Sequence, residues 1–163
     1  MEDYAKAEML IRKPVQEVFE AFINPKITEN FWFTKSSGSL KEGKTVEWTW
    51  EMYNVSTSVT VLSIIQNHTI KVAWGDKDEQ TEVEWTFTAM NGHTFVSIIN
   101  RGFQGSKEEI IAQVRDSTGG FSFVLSGLKA YLEHGIHLGL IEDHAPSNQK
   151  LGTPYFTKRI MEK

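Results

Sequence analysis

A chain of 163 residues, 40% of them hydrophobic, is enough for one ordinary domain with its own core, and ten Phe and five Trp supply large flat surfaces for that core or for the walls of a cavity. The absence of cysteine excludes disulfides, thiolate catalysis and zinc–thiolate sites, and neither a signal peptide nor an apolar run of membrane-spanning length is legible, so a soluble cytoplasmic protein is expected. The net charge of −4 divides into +3 over residues 144–163 and −7 over residues 1–143, and an acidic body argues against a nucleic-acid surface, because phosphate contacts need clustered Lys and Arg.

Residues 7–12 read as a short first strand, followed by Pro14 where a helix can begin without losing a hydrogen bond. Val15, Val18, Phe19 and Phe22 then recur at helical spacing, giving one buried face. Asn24-Pro25 breaks this helix, and residues 27–33 suggest a second short helix with Ile27, Phe31 and Trp32 available for burial. The Ser36-Ser37-Gly38-Ser39 cluster closes the insert.

From Thr45 the period becomes two. Val46, Trp48, Trp50 and Met52 alternate with Glu47, Thr49 and Glu51, the pattern of a strand with one dry face. Residues 55–66 are rich in β-branched side chains, residues 68–74 form a shorter strand, and Gly75 to Asp78 is a polar turn. Val83, Trp85, Phe87 and Ala89 alternate with polar partners, and Asn91-Gly92 is a strong hairpin signal leading into residues 94–102. Consecutive strands joined by short turns make an antiparallel meander whose dry face needs a second layer.

The cover comes from the C-terminal third. Phe121, Val124, Leu125, Leu128, Tyr131 and Leu132 fall on one helical arc, with Ser122, Ser126, Lys129 and Glu133 opposite. Ser106 three residues before Glu109 is a capping-box signature for a helical segment running to about Arg115. Gly119-Gly120 either separates the two segments or joins them at a soft point, and Gly135 is a C-cap. Residues 144–163 contain two Pro and little periodicity, so the expected division is one domain over 1–143 and a loosely packed or disordered basic tail over 144–163.

No phosphate-binding loop, dinucleotide fingerprint, nucleophile elbow or zinc-protease motif is present. His134 and His137, with Glu133, Asp143 and His144 nearby, are the only cluster resembling metal ligands, but Gly135 ends the helix between them and a solvated helix end explains them better, so neither metal nor cofactor is expected. The aromatic stripe Trp48, Trp50, Trp85 and Phe87 suits a core or a partly open cavity equally. An inward Asn100 needs a hydroxyl, a water or a ligand as partner.

Two stretches carry a resemblance to a known family. I-R-K-P-V-Q-E-V-F-E-A-F-I-N-P-K-I-T-E-N-F-W-F and G-G-F-S-F-V-L-S-G-L-K-A-Y-L-E-H-G are similar to the two ends of proteins homologous to the activator of the heat-shock protein 90 ATPase, within the START and birch-pollen-allergen-like superfamily; Phe121 stands where that family usually has Trp. The resemblance covers about residues 5–138 and implies an α+β helix-grip fold, a curved antiparallel sheet wrapped around a long C-terminal helix with two short helices after the first strand. It also implies a cavity between sheet and helix for a small hydrophobic molecule, aromatic or lipid-like. Trp48, Trp50, Trp85, Phe87, Phe121, Leu125 and Leu128 are the expected contacts, with Asn100 orienting one polar group. Binding without catalysis is the leading expectation. The alternatives are a polyketide cyclase or aromatase acting in the same cavity, and a chaperone regulator; chaperone or homodimer contact are the expected partner classes besides the ligand, with neither nucleic acid nor membrane insertion.

Overall fold

The computed structural model describes residues 3–146. Seven antiparallel strands form one sheet in the order β1-β7-β6-β5-β4-β3-β2, comprising β1 (Tyr4–Ile11), β2 (Lys35–Ser36), β3 (Thr45–Trp50), β4 (Val55–Ile65), β5 (Thr69–Trp74), β6 (Thr81–Met90) and β7 (His93–Arg101). The meander from β2 to β7 follows chain order, and β1 closes on β7 with Ala5 opposite Asn100 and Ile11 opposite Thr94. Helices α1 (Val15–Ile23) and α2 (Pro25–Thr28) fill the β1–β2 connection, and α3 (Lys107–His134) covers the dry face. This is the helix-grip arrangement expected from the order of elements. The basic tail falls outside the described residues from position 147 onward, while His144 and Ala145 lie against the domain.

Alternation sets the layering. Val46, Trp48 and Trp50 on β3, Val83, Trp85 and Phe87 on β6, and Val96 and Ile98 on β7 are all buried, whereas their sequence neighbours remain at least partly accessible. From α1, Val18, Phe19 and Phe22 enter the same core, and from α3, Phe121, Val124, Leu125 and Leu128.

Four local expectations require correction. β3 stops at Trp50, and residues Glu51–Tyr53 form a 3-10 turn that Asn54 reverses at a φ of 53°, so Met52 does not continue the strand. α2 ends at Thr28 rather than spanning 27–33; hydrogen-bonded turns carry the chain on, with Trp32 N–H donating to the Thr28 carbonyl at 3.0 Å. The polar cluster beginning at Ser36 includes part of an edge strand, in which Lys35 pairs with Thr49. The capping-box segment does not end near Arg115: residues 107–134 are one continuous helix, so of the two arrangements open at Gly119-Gly120 the joined one holds. Propagation adds a hydrogen bond per residue, and the apolar face on either side of the Gly pair is anchored to the sheet, which outweighs a propensity deficit of about 1 kcal/mol per Gly.

The caps of α3 match their sequence signals. Ser106 Oγ accepts from Glu109 N–H at 3.2 Å, and Gly135, at a φ of 65°, returns its N–H to the Tyr131 carbonyl at 2.8 Å. Nothing lies within 4 Å of a Cβ built at Gly119. Gly119→Ala is therefore expected to stabilise the fold by about 1 kcal/mol, read as a raised urea midpoint with an unchanged slope.

The C-terminal turn of α3 is tied to the end of β1. Glu133 Oε2 accepts from Arg12 N–H at 2.9 Å and from Lys129 Nζ at 2.7 Å, and the same ammonium donates to the Leu10 carbonyl at 2.8 Å. Burial pushes the Glu133 carboxyl up, but the Arg12 amide, Lys129 and His134 together outweigh it and hold the group below its ordinary value of 4.5. A folded-state value below the unfolded one means that the contribution is fully present above the unfolded value and is lost as pH falls through the folded value. Glu133→Gln is expected to lower stability at neutral pH, and the gap to wild type should close in acid, a result that paired urea titrations at the two pH values would read.

Candidate functional site: an aromatic cluster under the long helix

The sheet's inner face and α3 enclose a cluster of rings centred on Trp32. Phe33, Trp48, Trp50, Trp74, Trp85 and Phe121 surround it with ring centroids 4.8 to 6.2 Å away. Trp32 reaches this position because Asn24 caps α2, its side chain accepting from Lys26 N–H at 3.0 Å, and because the buried Thr28 hydroxyl donates back to the Ala21 carbonyl, folding α2 against α1. Opposite, α3 comes close at Gly127, where an added Cβ would sit 3.3 Å from the Phe31 carbonyl oxygen. A larger residue there would push the helix away from the segment that carries Trp32.

Of the residues singled out from the sequence, Trp48, Trp50, Trp85 and Phe121 join the Trp32 cluster. Phe87 lies towards α1, 5.3 Å from Phe19 and 6.0 Å from Phe22, and Phe22 links it to Trp85 at 5.7 Å. Leu125 and Leu128 are fully buried on α3. Asn100 sits in a polar knot: its Nδ2 donates to Thr81 Oγ1 at 3.0 Å and to the Glu82 carbonyl at 2.8 Å, and its Oδ1 accepts from Ser117 Oγ at 2.8 Å. Thr81 Oγ1 also accepts from the Trp74 indole at 3.0 Å, so sheet and helix are joined through buried hydroxyls.

Trp32 and Trp74 were absent from the expected contacts. Trp74 was within reach of pattern reasoning, since Ile70, Val72 and Trp74 alternate inward along β5. Trp32 was not, because it stands in an irregular turn with no period to orient it.

The donors inside the cluster are not all matched. The indole N–H groups of Trp32, Trp50 and Trp85 are buried and have no acceptor among the described residues. An unpaired buried donor costs about 1–3 kcal/mol, and nearly all such groups in native structures find a partner. Three in one cluster mark a site short of acceptors. By contrast, the buried polar residues among those described are Thr28, Thr57, Thr81, Thr94, Asn100, Gln113 and Ser117, none of which is an acid or base in the physiological range; the Glu133 carboxylate, its side chain 9% exposed, is held by Arg12 and Lys129 at the end of α3, and the buried, unpartnered His93 Nδ1 belongs to the start of β7. The Tyr53 hydroxyl donates to the Ile141 carbonyl; burial, reinforced by Glu142 and Asp143, pushes it up to about 12.

The family model for Activator of Hsp90 ATPase homolog 1-like protein matches residues 12–133, from the end of β1 to the last turn of α3. The chain belongs to this family. No curated protein matches the chain. Among solved structures, SSP2350 from Staphylococcus saprophyticus superposes on this activator-homologue chain with a TM-score of 0.73 at 27% identity, over 83% of this chain and 96% of its own. The Aha1 dimer from Colwellia psychrerythraea gives 0.70 at 17% identity, over 82% and 98%. DynU16, from the dynemicin biosynthetic locus, gives 0.74 at 17% identity, over 84% of this chain and 49% of its own. The last two establish a shared fold with this activator-homologue domain and nothing finer. Among the described residues, no helix is long and apolar enough to cross a membrane, and no group of three or more His, Asp and Glu side chains is placed to hold a metal ion.

Proposed function

We propose that the domain binds a small, neutral, largely aromatic molecule between the sheet and α3, and that it does so without catalysing a reaction on it. The observation that carries this reading is the set of three acceptor-less indole N–H groups in one buried ring cluster. An apolar ligand with one or more carbonyl or ether oxygens supplies what those donors lack, and its rings stack where Trp48, Trp50, Trp85, Phe87 and Phe121 already prefer ring neighbours. Leu125 and Leu128 complete the helix side of the contact. Asn100, whose amide is held by Thr81, Glu82 and Ser117, retains one acceptor lone pair on Oδ1 for a ligand hydroxyl.

A charged ligand does not suit this interior, since no buried side chain among the described residues offers a compensating charge. General acid–base chemistry of the cyclase kind does not suit it either, because such a step needs a titratable group within hydrogen-bond reach of the substrate. The matched pair 9-fluorenone and fluorene tests the reading. The two share shape and ring area and differ in one carbonyl. Saturable tryptophan quenching by fluorenone, with fluorene weaker by about tenfold for each indole hydrogen bond gained, is the expected result. Equal affinity would remove the donor argument, and binding of neither would remove the reading.

A further inference from the structure

We infer that residues 136–145 form a hinged strap, latched by the Tyr53 hydroxyl, whose release lets the ligand reach Trp32; this rests on the binding reading above. After α3 the chain runs from Gly135 into the short helix α4 (Leu140–Asp143). Gly135 and Gly139 hold φ of 65° and 67°, in the left-handed region that Gly enters without steric cost, and they bracket Ile136 to Leu138 as two pivot points. Ile136 and Leu138 are about half exposed, at 49% and 48%, so this run is held by little burial. The strap is fastened farther on: Ile141 is buried, its carbonyl takes the Tyr53 hydroxyl, and the His144 ring lies 4.9 Å from Phe123 on α3.

Beneath the strap is a cleft whose walls include Trp32, Phe31, Met52 and Gly127 on one side and Leu140 and Ile141 on the other. Its volume is about 30 Å³, room for about one water and far less than an aromatic ligand occupies. Trp32 therefore combines two properties: its indole has no acceptor among the described residues, and it forms part of this cleft wall. With the strap latched, a ligand has no room to pass this way. With the Tyr53 bond broken and Ile141 withdrawn, the cleft widens onto the Trp32 edge of the ring cluster. The fastening is one buried hydrogen bond, the Ile141 and Ala145 side chains and the His144 ring on Phe123, a small set of contacts that local opening can break without unfolding the sheet.

The test compares wild type with Tyr53→Phe and Ile141→Ala, the second loosening the strap by a route that does not involve the hydroxyl. Hydrogen exchange reads the amides of Asp143 and His144, which bond to the Gly139 and Leu140 carbonyls. Stopped-flow tryptophan quenching with 9-fluorenone reads association and dissociation. The expected result is faster exchange at those amides in both variants, with both rate constants raised about tenfold for a lost hydrogen bond and the equilibrium constant little changed. Fluorenone binding with wild-type rates in both variants, despite faster exchange, would overturn the strap as the entrance and leave the binding reading standing. No fluorenone binding by wild type would overturn both together.

Discussion

Trp32→Ala is expected to destabilise the domain by about 3 kcal/mol, the larger of the two strongest effects the structure points to. Truncating a buried Trp costs about 3–5 kcal/mol in lost transfer energy and residual cavity. Here a part of that is returned, because the substitution also removes a buried donor with no acceptor, a group worth about 1–3 kcal/mol of penalty. The cavity wins because the Trp32 ring stands among Trp48, Trp50, Trp74, Trp85 and Phe121, which come from three strands and α3 and cannot all collapse inward. Trp32→Phe keeps most of the ring area while deleting the donor, so its cost should be well under half as large. Urea unfolding of the three proteins followed by far-ultraviolet circular dichroism would read the order. A Trp32→Phe as damaging as Trp32→Ala would mean that the indole N–H has a partner the structure does not contain.

Asn100→Ala is expected to cost about 2–3 kcal/mol through a different mechanism. The side chain is small, so little packing is lost. What is lost is the middle of the knot: Ser117 Oγ is left without its acceptor and the Glu82 carbonyl without its side-chain donor, both in a buried setting. Thr81 keeps the Trp74 indole as a donor, so the damage stops there. Because Ser117 is on α3 and Asn100 on β7, the double variant with Ser117→Ala should be clearly less destabilised than the sum of the singles, and the difference measures the coupling across the sheet–helix interface. Additive losses would mean that the two side chains do not share one interaction.

The fold was largely legible because its elements announce themselves in period. Trp48, Trp50, Trp85 and Phe87 could be assigned to an inner face from alternation alone, and Asn91-Gly92 fixes the β6–β7 hairpin, with both residues at positive φ. The Ser106 and Gly135 caps bound α3 correctly. What failed were places where tertiary contacts outvote local preference. The helix runs past the end expected near Arg115 and through Gly119-Gly120 because Phe121, Val124 and Leu125 are buried just beyond. Met52 leaves the strand pattern in the turn that delivers Tyr53 to Ile141, a pairing of residues far apart in sequence.

The candidate site was less legible than the fold for a related reason. Alternation tells which side chains point inward but not which inward groups lack a partner. Asn100 was recognisable as an inward polar residue, yet the hydroxyls that satisfy it belong to Thr81 and Ser117, brought together only by the register of β6 with β7 and by the rotation of α3. The three unsatisfied indoles were hidden for the same reason, and Trp32 most of all. Tyr53 and Ile141 had no signal in composition or spacing.

In the proposed complex Trp32, Trp50 and Trp85 offer their indole N–H groups to a neutral acceptor-bearing ligand. The most direct measurement is a ¹⁵N-edited proton spectrum of the assigned indole groups during titration with 9-fluorenone. A saturable downfield shift of the Trp32, Trp50 and Trp85 indole protons is expected, while the Trp74 indole, already donated to Thr81, moves little. Saturation with those three protons unmoved, or no saturable change at any indole, would contradict this mode of binding.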